Sequence, residues 1–354
     1  MKIIDHHSDS VRGALFGLAA ATLFGLSTPL SKMLLKDIHP VLLSGLLYLG
    51  AAVGLWLHWA FTPPTHEAKL NRNDISVLGC MIFLGGVIAP LCMLFGLDRV
   101  TALTGSLMLN LEAPFTVIVA SVLFREHLGW RASLATCLIL AGSVVLKYKQ
   151  GALNTNTLGF ILLAAACLAW ALDNNLTQKL SVKDPFAIVR AKTLIAGIFN
   201  TLLGLFISNF EIPSFQFIAW ALIIGSFSYG LSVVLDTFAL RLVGAVREAA
   251  YFSMAPFVGA LFSIMLLHEP LQWRDIIAMG VMGAGAFLLL RENHHHLHTH
   301  DALYHDHLHA HDMHHQHEHQ KNDPPGEPHS HPHRHEQITH AHAHVPDVHH
   351  RHKH

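Results

Sequence analysis

The chain has 354 residues, of which 52% are apolar and 13% charged, and its formal net charge is −1. The stretch from His294 to His354 is almost wholly polar, so the remaining body is more apolar than a water-soluble domain. No nucleic-acid partner is expected.

Ten stretches of mostly apolar residues follow one another, each about 20 residues long, the length that crosses ~30 Å of hydrocarbon. These windows run 13–35, 40–61, 75–97, 101–123, 130–148, 157–180, 186–208, 216–239, 245–267 and 272–291. The sequence therefore predicts an all-α integral membrane protein with ten transmembrane helices. Its predicted parts are an N-terminus (1–12), two five-helix units (13–148 and 157–291) and a disordered, His-rich tail (292–354).

Lys and Arg in the short loops predict the orientation, because they collect on the cytoplasmic side. With the N-terminus inside, thirteen of them lie in the cytoplasm and six on the other side. We therefore expect a multi-pass protein of the inner or plasma membrane with both termini cytoplasmic. Lys32 is expected to extend to the outer interface, and Arg190 and Lys192 to anchor the cytoplasmic end of window seven.

The two halves repeat one pattern at an offset of 143 residues. The matching pairs are Glu126 and Glu269, Trp130 and Trp273, Arg131 and Arg274, and Gly142 and Gly285. A shared apolar bias does not place these residue types at a common offset. Each half holds five windows, an odd number, so the second half must enter the membrane in the opposite orientation. Inverted repeats of this kind are a frequent design of secondary transporters, with the substrate site near the midplane.

Three motifs recur in the two halves and carry a resemblance to a known family. In the first half they are Glu112-Ala113-Pro114-Phe115, Arg125-Glu126-His127-Leu128-Gly129-Trp130-Arg131 and Ala141-Gly142. They resemble the EamA domain of the drug/metabolite transporter superfamily, once in each half, and segments 170–177, 228–232 and 250–253 resemble a subgroup with a His-rich C-terminus. The resemblance implies ten helices, two repeats and gradient-driven export of small metabolites, without naming a substrate.

Ionisable residues inside membrane spans are costly and are therefore candidates for function. Glu112 lies in the middle of window four, two residues before Pro114. A carbonyl freed by the proline would make this position polar, and a carboxyl group there suits a proton carrier. The alternative is a structural carboxylate that bonds to a hydroxyl on a neighbouring helix. In the second half Met254 takes the place of Glu112, so its role is not duplicated.

Windows six and eight supply the other candidates. Three adjacent polar residues in window six are ~100° apart, so at most two of them line one cavity. In window eight the polar residues follow helical spacing, which indicates either a cavity wall or hydrogen bonds between helices. With Glu112, the candidate substrate- or ion-binding residues are Asp173, Asn174, Asn175, Thr177, Tyr229, Ser232 and Asp236.

The tail holds 24 of the 31 histidines, many of them in His-x-His runs. Its lack of apolar residues predicts disorder, and neutral imidazole suits Zn, Ni, Co or Cu. The body offers no matching His or Cys cluster, and a pH-responsive polycation is another interpretation of the tail. The candidate metal ligands are His305, His307, His309, His311, His329, His331, His333, His335, His340, His342 and His344.

Three functions stay open at this point. The leading hypothesis is a secondary transporter that exports a small solute by alternating access and needs no cofactor. The others are a divalent transition-metal exporter fed by the tail, and a membrane metal sensor that transports nothing. An enzyme is not expected, because the short loops hold no set of nucleophile and base and no cofactor motif. The expected partners are the solute and the lipid bilayer, with a homodimer left open.

Overall fold

In the computed structural model of the protein, the described residues are 6–62, 69–124, 129–147, 157–177, 180, 183–243, 249, 251–290, 294–300, 303–309, 329–335 and 338–344. Ten helices with defined bounds lie among the described residues before the tail, and Ala249, Tyr251 and Phe252 are helical as well. Seven of them are regular: α1 (His6–Leu34), α2 (Pro40–Phe61), α5 (Trp130–Lys147), α6 (Thr157–Thr177), α7 (Pro185–Ile207), α9 (Ala255–Leu267) and α10 (Trp273–Leu290).

The other three helices change type along their length. Helix α3 joins a 3-10 turn (Arg72–Asp74), an α segment (Ile75–Met81), a π segment (Ile82–Ile88) and a second α segment (Ala89–Arg99). Helix α4 is Ala102–Met108, a 3-10 turn (Leu109–Leu111) and Glu112–Phe124. Helix α8 is Phe215–Gly225, a π segment (Ser226–Leu231) and Ser232–Val243.

Eight of the ten predicted windows coincide with helices that are long and apolar enough to cross a membrane, α1 to α8. This confirms an all-α, multi-pass body. Helix α9 has 13 residues and α10 has 18, so windows nine and ten stay predictions as membrane spans. Large apolar side chains such as Val122 and Phe206, each 70% exposed, lie on the outside of the bundle. Such a surface needs a covering of lipid.

Prolines explain the changes of helix type in α3 and α4. Proline lacks the N–H that bonds the carbonyl four residues earlier, and its ring clashes with that carbonyl. The π segment of α3 comes just before Pro90, and the 3-10 turn of α4 comes just before Pro114. The π segments of α3 and α8 end 143 residues apart, the offset of the sequence repeat. Single π turns inside α-helices are frequent at functional sites.

The helices pack in two groups, each of which draws on both halves of the chain. In the first group α1 packs against α8 and α9, and α2 packs against α8; in the second, α6 packs against α3 and α4, and α7 packs against α3. The groups meet where α2 contacts α7 and where α4 contacts α9, while α5 packs against α10. These larger contacts map onto one another when every helix is exchanged with its counterpart five places away in chain order. Smaller contacts of α1 with α3 and α4, and of α2 with α3, also join the groups and have no counterpart of similar size.

The tail contributes four strands, β1 (His294–His300), β2 (Leu303–His309), β3 (His329–His335) and β4 (Ile338–His344). Strand β1 pairs with β4 and β2 pairs with β3, both antiparallel. The His-x-His pattern has the two-residue period of an extended strand, and the disorder of the tail stays a prediction. His311 lies outside the described residues, and the structure does not describe the side chains of the tail. Metal ligation by the tail histidines therefore stays a prediction.

Candidate functional site

Asp173 of α6 and Lys192 of α7 form an ion pair inside the second group. The Asp173 side chain is 3% exposed and the Lys192 side chain 16% exposed. Lys192 lies seven residues into α7, roughly 10 Å from its start, so the expectation that it anchors the end of window seven is wrong. Arg190 does lie nearer that end, where it pairs with Asp184 at 3.6 Å. The pairing offsets part of the cost of burying the two charges.

Gly85, in the π segment of α3, lies directly against this pair. A Cβ atom at this position would be 2.7 Å from Lys192 Nζ and closer still to the Asp173 carboxylate, so a larger residue would require this pair to move. The Gly85 carbonyl accepts hydrogen bonds from Tyr48 Oη of α2 (2.7 Å) and from Trp170 Nε1 of α6 (3.3 Å). Tyr48 thereby connects the first group to the second beside the ion pair.

Gly86 makes a second close contact, with α7. A Cβ atom here would be 2.7 Å from the Cβ atom of Ala196. Asn200 Nδ2 donates to the Gly86 carbonyl (3.0 Å) and to Ser44 Oγ (2.8 Å). Lys192, Ala196 and Asn200 are four residues apart and therefore share one face of α7. Sequence analysis missed this face, although two polar residues eight apart in an apolar helix are a signal for it.

Glu112 begins the last segment of α4, ten residues or ~15 Å from the start of that helix. Asn174 Nδ2 of α6 donates a hydrogen bond to Glu112 Oε1 at 2.7 Å. The partner is therefore an amide, not the hydroxyl that the structural alternative envisaged. Because an amide is neutral, this bond orients the carboxyl group without balancing a charge on it.

Asn174 is exposed, although the preceding positions on its face of α6 are buried. Leu163, Cys167 and Trp170 share that helical face and are 1%, 0% and 9% exposed. Since the rest of the face packs against protein, Asn174 lies where that packing ends. We call the membrane face at which α1 begins the near side and the other the far side. Because consecutive spans alternate in direction, α6 ends on the near side, so Asn174 lies toward that side.

The neighbouring candidates point in other directions. Asn175 Nδ2 donates to the carbonyls of Ala171 (2.8 Å) and Thr116 (3.2 Å), and Thr177 Oγ1 donates to the carbonyl of Asp173 (2.8 Å). The three adjacent polar residues of α6 thus meet Lys192, Glu112 and the α4 backbone, respectively. Their divergence agrees with the ~100° step of a helix.

Asp173, Lys192, Gly85 and Tyr48 form a polar cluster. Of the polar residues that follow helical spacing on α8, Tyr229 lies beside it. Its ring centroid lies 6.0 Å from that of Tyr48 and 5.7 Å from that of Phe24. Ser232 Oγ donates to the Ser228 carbonyl of its own helix at 2.6 Å. Asp236, half-buried, lies seven residues beyond Tyr229, or ~10 Å along the helix. Of these three residues, Tyr229 therefore lies beside the cluster, and Ser232 and Asp236 lie farther along α8.

Three buried side-chain oxygens around the cluster have no hydrogen-bond partner: Asp173 Oδ1, Asn175 Oδ1 and Asn200 Oδ1. Buried polar atoms are normally bonded. Asp173 and Asn200 lie beside Gly85 and Gly86 of α3, so a molecule bound there would meet acceptors and would have to donate hydrogen bonds, whereas Asn175 faces α4. Within the described ranges, no group of three or more His, Cys, Asp or Glu residues is placed to hold a metal ion.

Comparison with known proteins identifies the family. The model of the EamA-like transporter family matches residues 11–148 and again residues 157–291. An uncharacterised transporter of Methanothermobacter thermautotrophicus is 32% identical over 291 residues, covering 77% of this chain and 84% of the relative. A probable amino-acid metabolite efflux pump of Salmonella typhimurium is 23% identical over 295 residues, covering 79% of this chain and 95% of that protein.

The fold also has a counterpart among solved structures. One crystal structure superposes with a TM-score of 0.53 at 18% sequence identity, covering 80% of this chain and 96% of the other. At that identity the likeness concerns the fold alone. It extends over nearly the whole of the other protein, so the helical body is the shared part.

Proposed function

We propose that this chain, which belongs to the EamA-like transporter family, exports a small solute by alternating access driven by an ion gradient. Family membership makes it a multi-pass membrane transporter of small solutes rather than an enzyme. The direction of transport, the coupling ion and the class of solute are what we add to that.

The observation that carries the proposal is the packing of the helices into two groups that exchange under a swap of the halves. Two inverted repeats packed in this way can adopt two arrangements related by a pseudo-two-fold axis in the membrane plane, one open to each side of the membrane. The first group, α1, α2, α8 and α9, and the second, α3, α4, α6 and α7, are the bodies that would move. The polar cluster lies where they meet, because Tyr48 of the first group bonds to Gly85 of the second.

We assign ion coupling to the carboxylates of Asp173 and Glu112, which have different roles. Asp173 is tied to Lys192, and this pair sets the charge balance of the buried site. Glu112 is bonded to the neutral amide of Asn174, which is exposed toward the near side, and there it would exchange a proton with water. Glu112 is therefore our candidate for the proton carrier.

For the solute we propose an amine-bearing metabolite of amino-acid type. The unpaired acceptors at Asp173 and Asn200, both beside the π segment of α3, favour a hydrogen-bond donor such as an ammonium group. The rings of Tyr48 and Tyr229 beside them suit a cation. The name of the Salmonella relative, a probable amino-acid metabolite efflux pump, agrees with this class.

The test is solute-dependent proton movement in proteoliposomes that contain a pH-sensitive dye, with the common amino acids as probes. We expect at least one of them to change the luminal pH. Glu112→Gln should abolish this change while labelled solute still exchanges for unlabelled solute. Glu211→Gln serves as the matched control, because Glu211 is exposed outside the spans and should leave both activities unchanged. A normal pH response in Glu112→Gln would refute the coupling role, and silence with every probe would refute the solute class.

For the tail we propose metal binding that is separate from transport. The His-x-His runs offer many alternative pairs of imidazoles to Zn, Ni, Co or Cu. A protein that lacks residues 294–354 should lose Ni binding in calorimetry and keep its solute-dependent proton movement. If the truncated protein binds Ni as before, the assignment to the tail is wrong, and if truncation stops transport, the two functions are coupled.

A further inference from the structure

The turn between α3 and α4 is held at both ends by charged side chains. Lys32 Nζ donates to the carbonyls of Leu97 (2.7 Å) and Asp98 (3.0 Å) at the end of α3. Glu269 accepts from the backbone N–H groups of Ala102 and Leu103 at the start of α4, both at 2.7 Å. The expectation that Lys32 merely extends to the interface is therefore incomplete. We call Lys32 and Glu269 the far-side clamp.

The charges of the clamp match the helix ends that they contact. The last carbonyls of a helix carry partial negative charge and lack partners, while the first N–H groups carry partial positive charge. The ammonium group of Lys32 binds the former, and the carboxylate of Glu269 binds the latter. Each contact thus satisfies backbone groups that would otherwise need water.

Both clamp residues belong to the first group of helices, and both bind the second. Lys32 is in α1, and Glu269 follows the end of α9 by two residues, whereas the turn joins α3 to α4. A cavity of about 390 Å³ lies beside the clamp, and Lys32, Glu269 and Leu103 contribute to its wall. On this side of the membrane the clamp therefore connects the two bodies whose separation would open a path.

We propose that the clamp is the far-side gate of the transporter, and that Lys32 and Glu269 are positioning residues that keep the gate shut. The inference rests on the alternating access proposed above. Opening breaks four hydrogen bonds to backbone groups, and water from the adjoining cavity replaces each of them, so the contacts are reversible. The sequence counterpart of Glu269 in the first half is Glu126, which lies outside the described residues.

Cysteine labelling tests the gate without a transport assay. The reporter is Leu103→Cys, at a buried position (2% exposed) in the cavity wall. Cys80, Cys92, Cys137 and Cys167 are first replaced by alanine. A membrane-impermeant maleimide is applied to the far side in intact cells and to the near side in inverted vesicles. We expect Glu269→Gln or Lys32→Met to raise far-side labelling about tenfold, since each removes charge-assisted hydrogen bonds, with near-side labelling unchanged.

Conservative variants keep the test decisive. Glu269→Asp and Lys32→Arg retain the charges, and labelling should fall back toward that of the reporter alone. Unchanged labelling in Glu269→Gln would overturn the proposal. So would an equal rise from both sides, because that result means general loosening of the bundle. If labelling behaves as expected but no probe drives proton movement, the gate stands and the proposed solute fails.

Discussion

At the scale of single residues, the site depends on the close approach of the side chains of α6 and α7 to the backbone of α3. Asp173 and Lys192 can meet beside α3 only because Gly85 has no side chain, and the missing atom would stand 2.7 Å from Lys192 Nζ. The carbonyl of the same residue is bonded by Tyr48 and Trp170, so the backbone cannot move away without breaking these bonds. Gly85 is thus fixed from both sides.

The Gly85→Ala variant should therefore lose stability and transport together. Overpacking a filled interior costs ~1–3 kcal/mol in the free energy of unfolding, and the ion pair must separate to admit the methyl group. The matched control is Gly79→Ala in the same helix, where a Cβ atom meets nothing within 4 Å. Thermal unfolding in detergent should show a lowered midpoint for the first variant and an unchanged or raised midpoint for the second. Equal midpoints would contradict the packing described for Gly85.

Sequence reasoning reached this scale only in part. Glu112 and Asp173 were identified because buried charge is rare, and Asn174 and Asn175 because they adjoin Asp173. Lys192 was misplaced, because a lysine near the start of a span usually extends to the interface, and the sequence does not show which buried carboxylate it meets instead. Gly85 and Tyr48 were missed, since the roles of a small residue and of one tyrosine depend on which helices are neighbours.

At the scale of the elements, the interrupted helices carry the function. Pro90 denies the Gly86 carbonyl its usual partner within the helix, and Asn200 of α7 bonds that carbonyl instead at 3.0 Å. Pro90 can be read from the sequence, but the π segment before it could not be predicted. A sequence pattern with a period of 3.6 residues does not distinguish a continuous helix from one that widens for a turn.

The Pro90→Ala variant tests this link between helix type and transport. Alanine restores an N–H group that can bond to the Gly86 carbonyl, in competition with Asn200. We expect solute-dependent proton movement to slow several-fold while the unfolding midpoint stays the same or rises, because the helix gains a hydrogen bond. Pro40→Ala is the control: Pro40 is the first residue of α2, where no helical partner is lost. A variant as fast as the wild type would show that the π segment does not limit transport.

At the scale of the whole molecule, the repeat in the sequence corresponds to the exchange pattern in the contacts between helices. Apolar windows and an offset of 143 residues were enough to predict ten helices in two halves, of which eight are confirmed as candidate spans. The division of the bundle was not predictable in the same way. The two groups draw helices from both halves, and such mixing depends on side-chain packing that no single window contains.

The movement of these groups can be measured by pulsed electron paramagnetic resonance with pairs of spin labels in reconstituted protein. Lys36 and Asp98 mark the two groups on the far side, and Trp59 and Ile75 mark them on the near side; all four are exposed. When a pH gradient is imposed with a probe that drives proton movement, the far-side distance should lengthen while the near-side distance shortens. Distances that both stay constant, or that both change in the same direction, would contradict alternating access between the two groups.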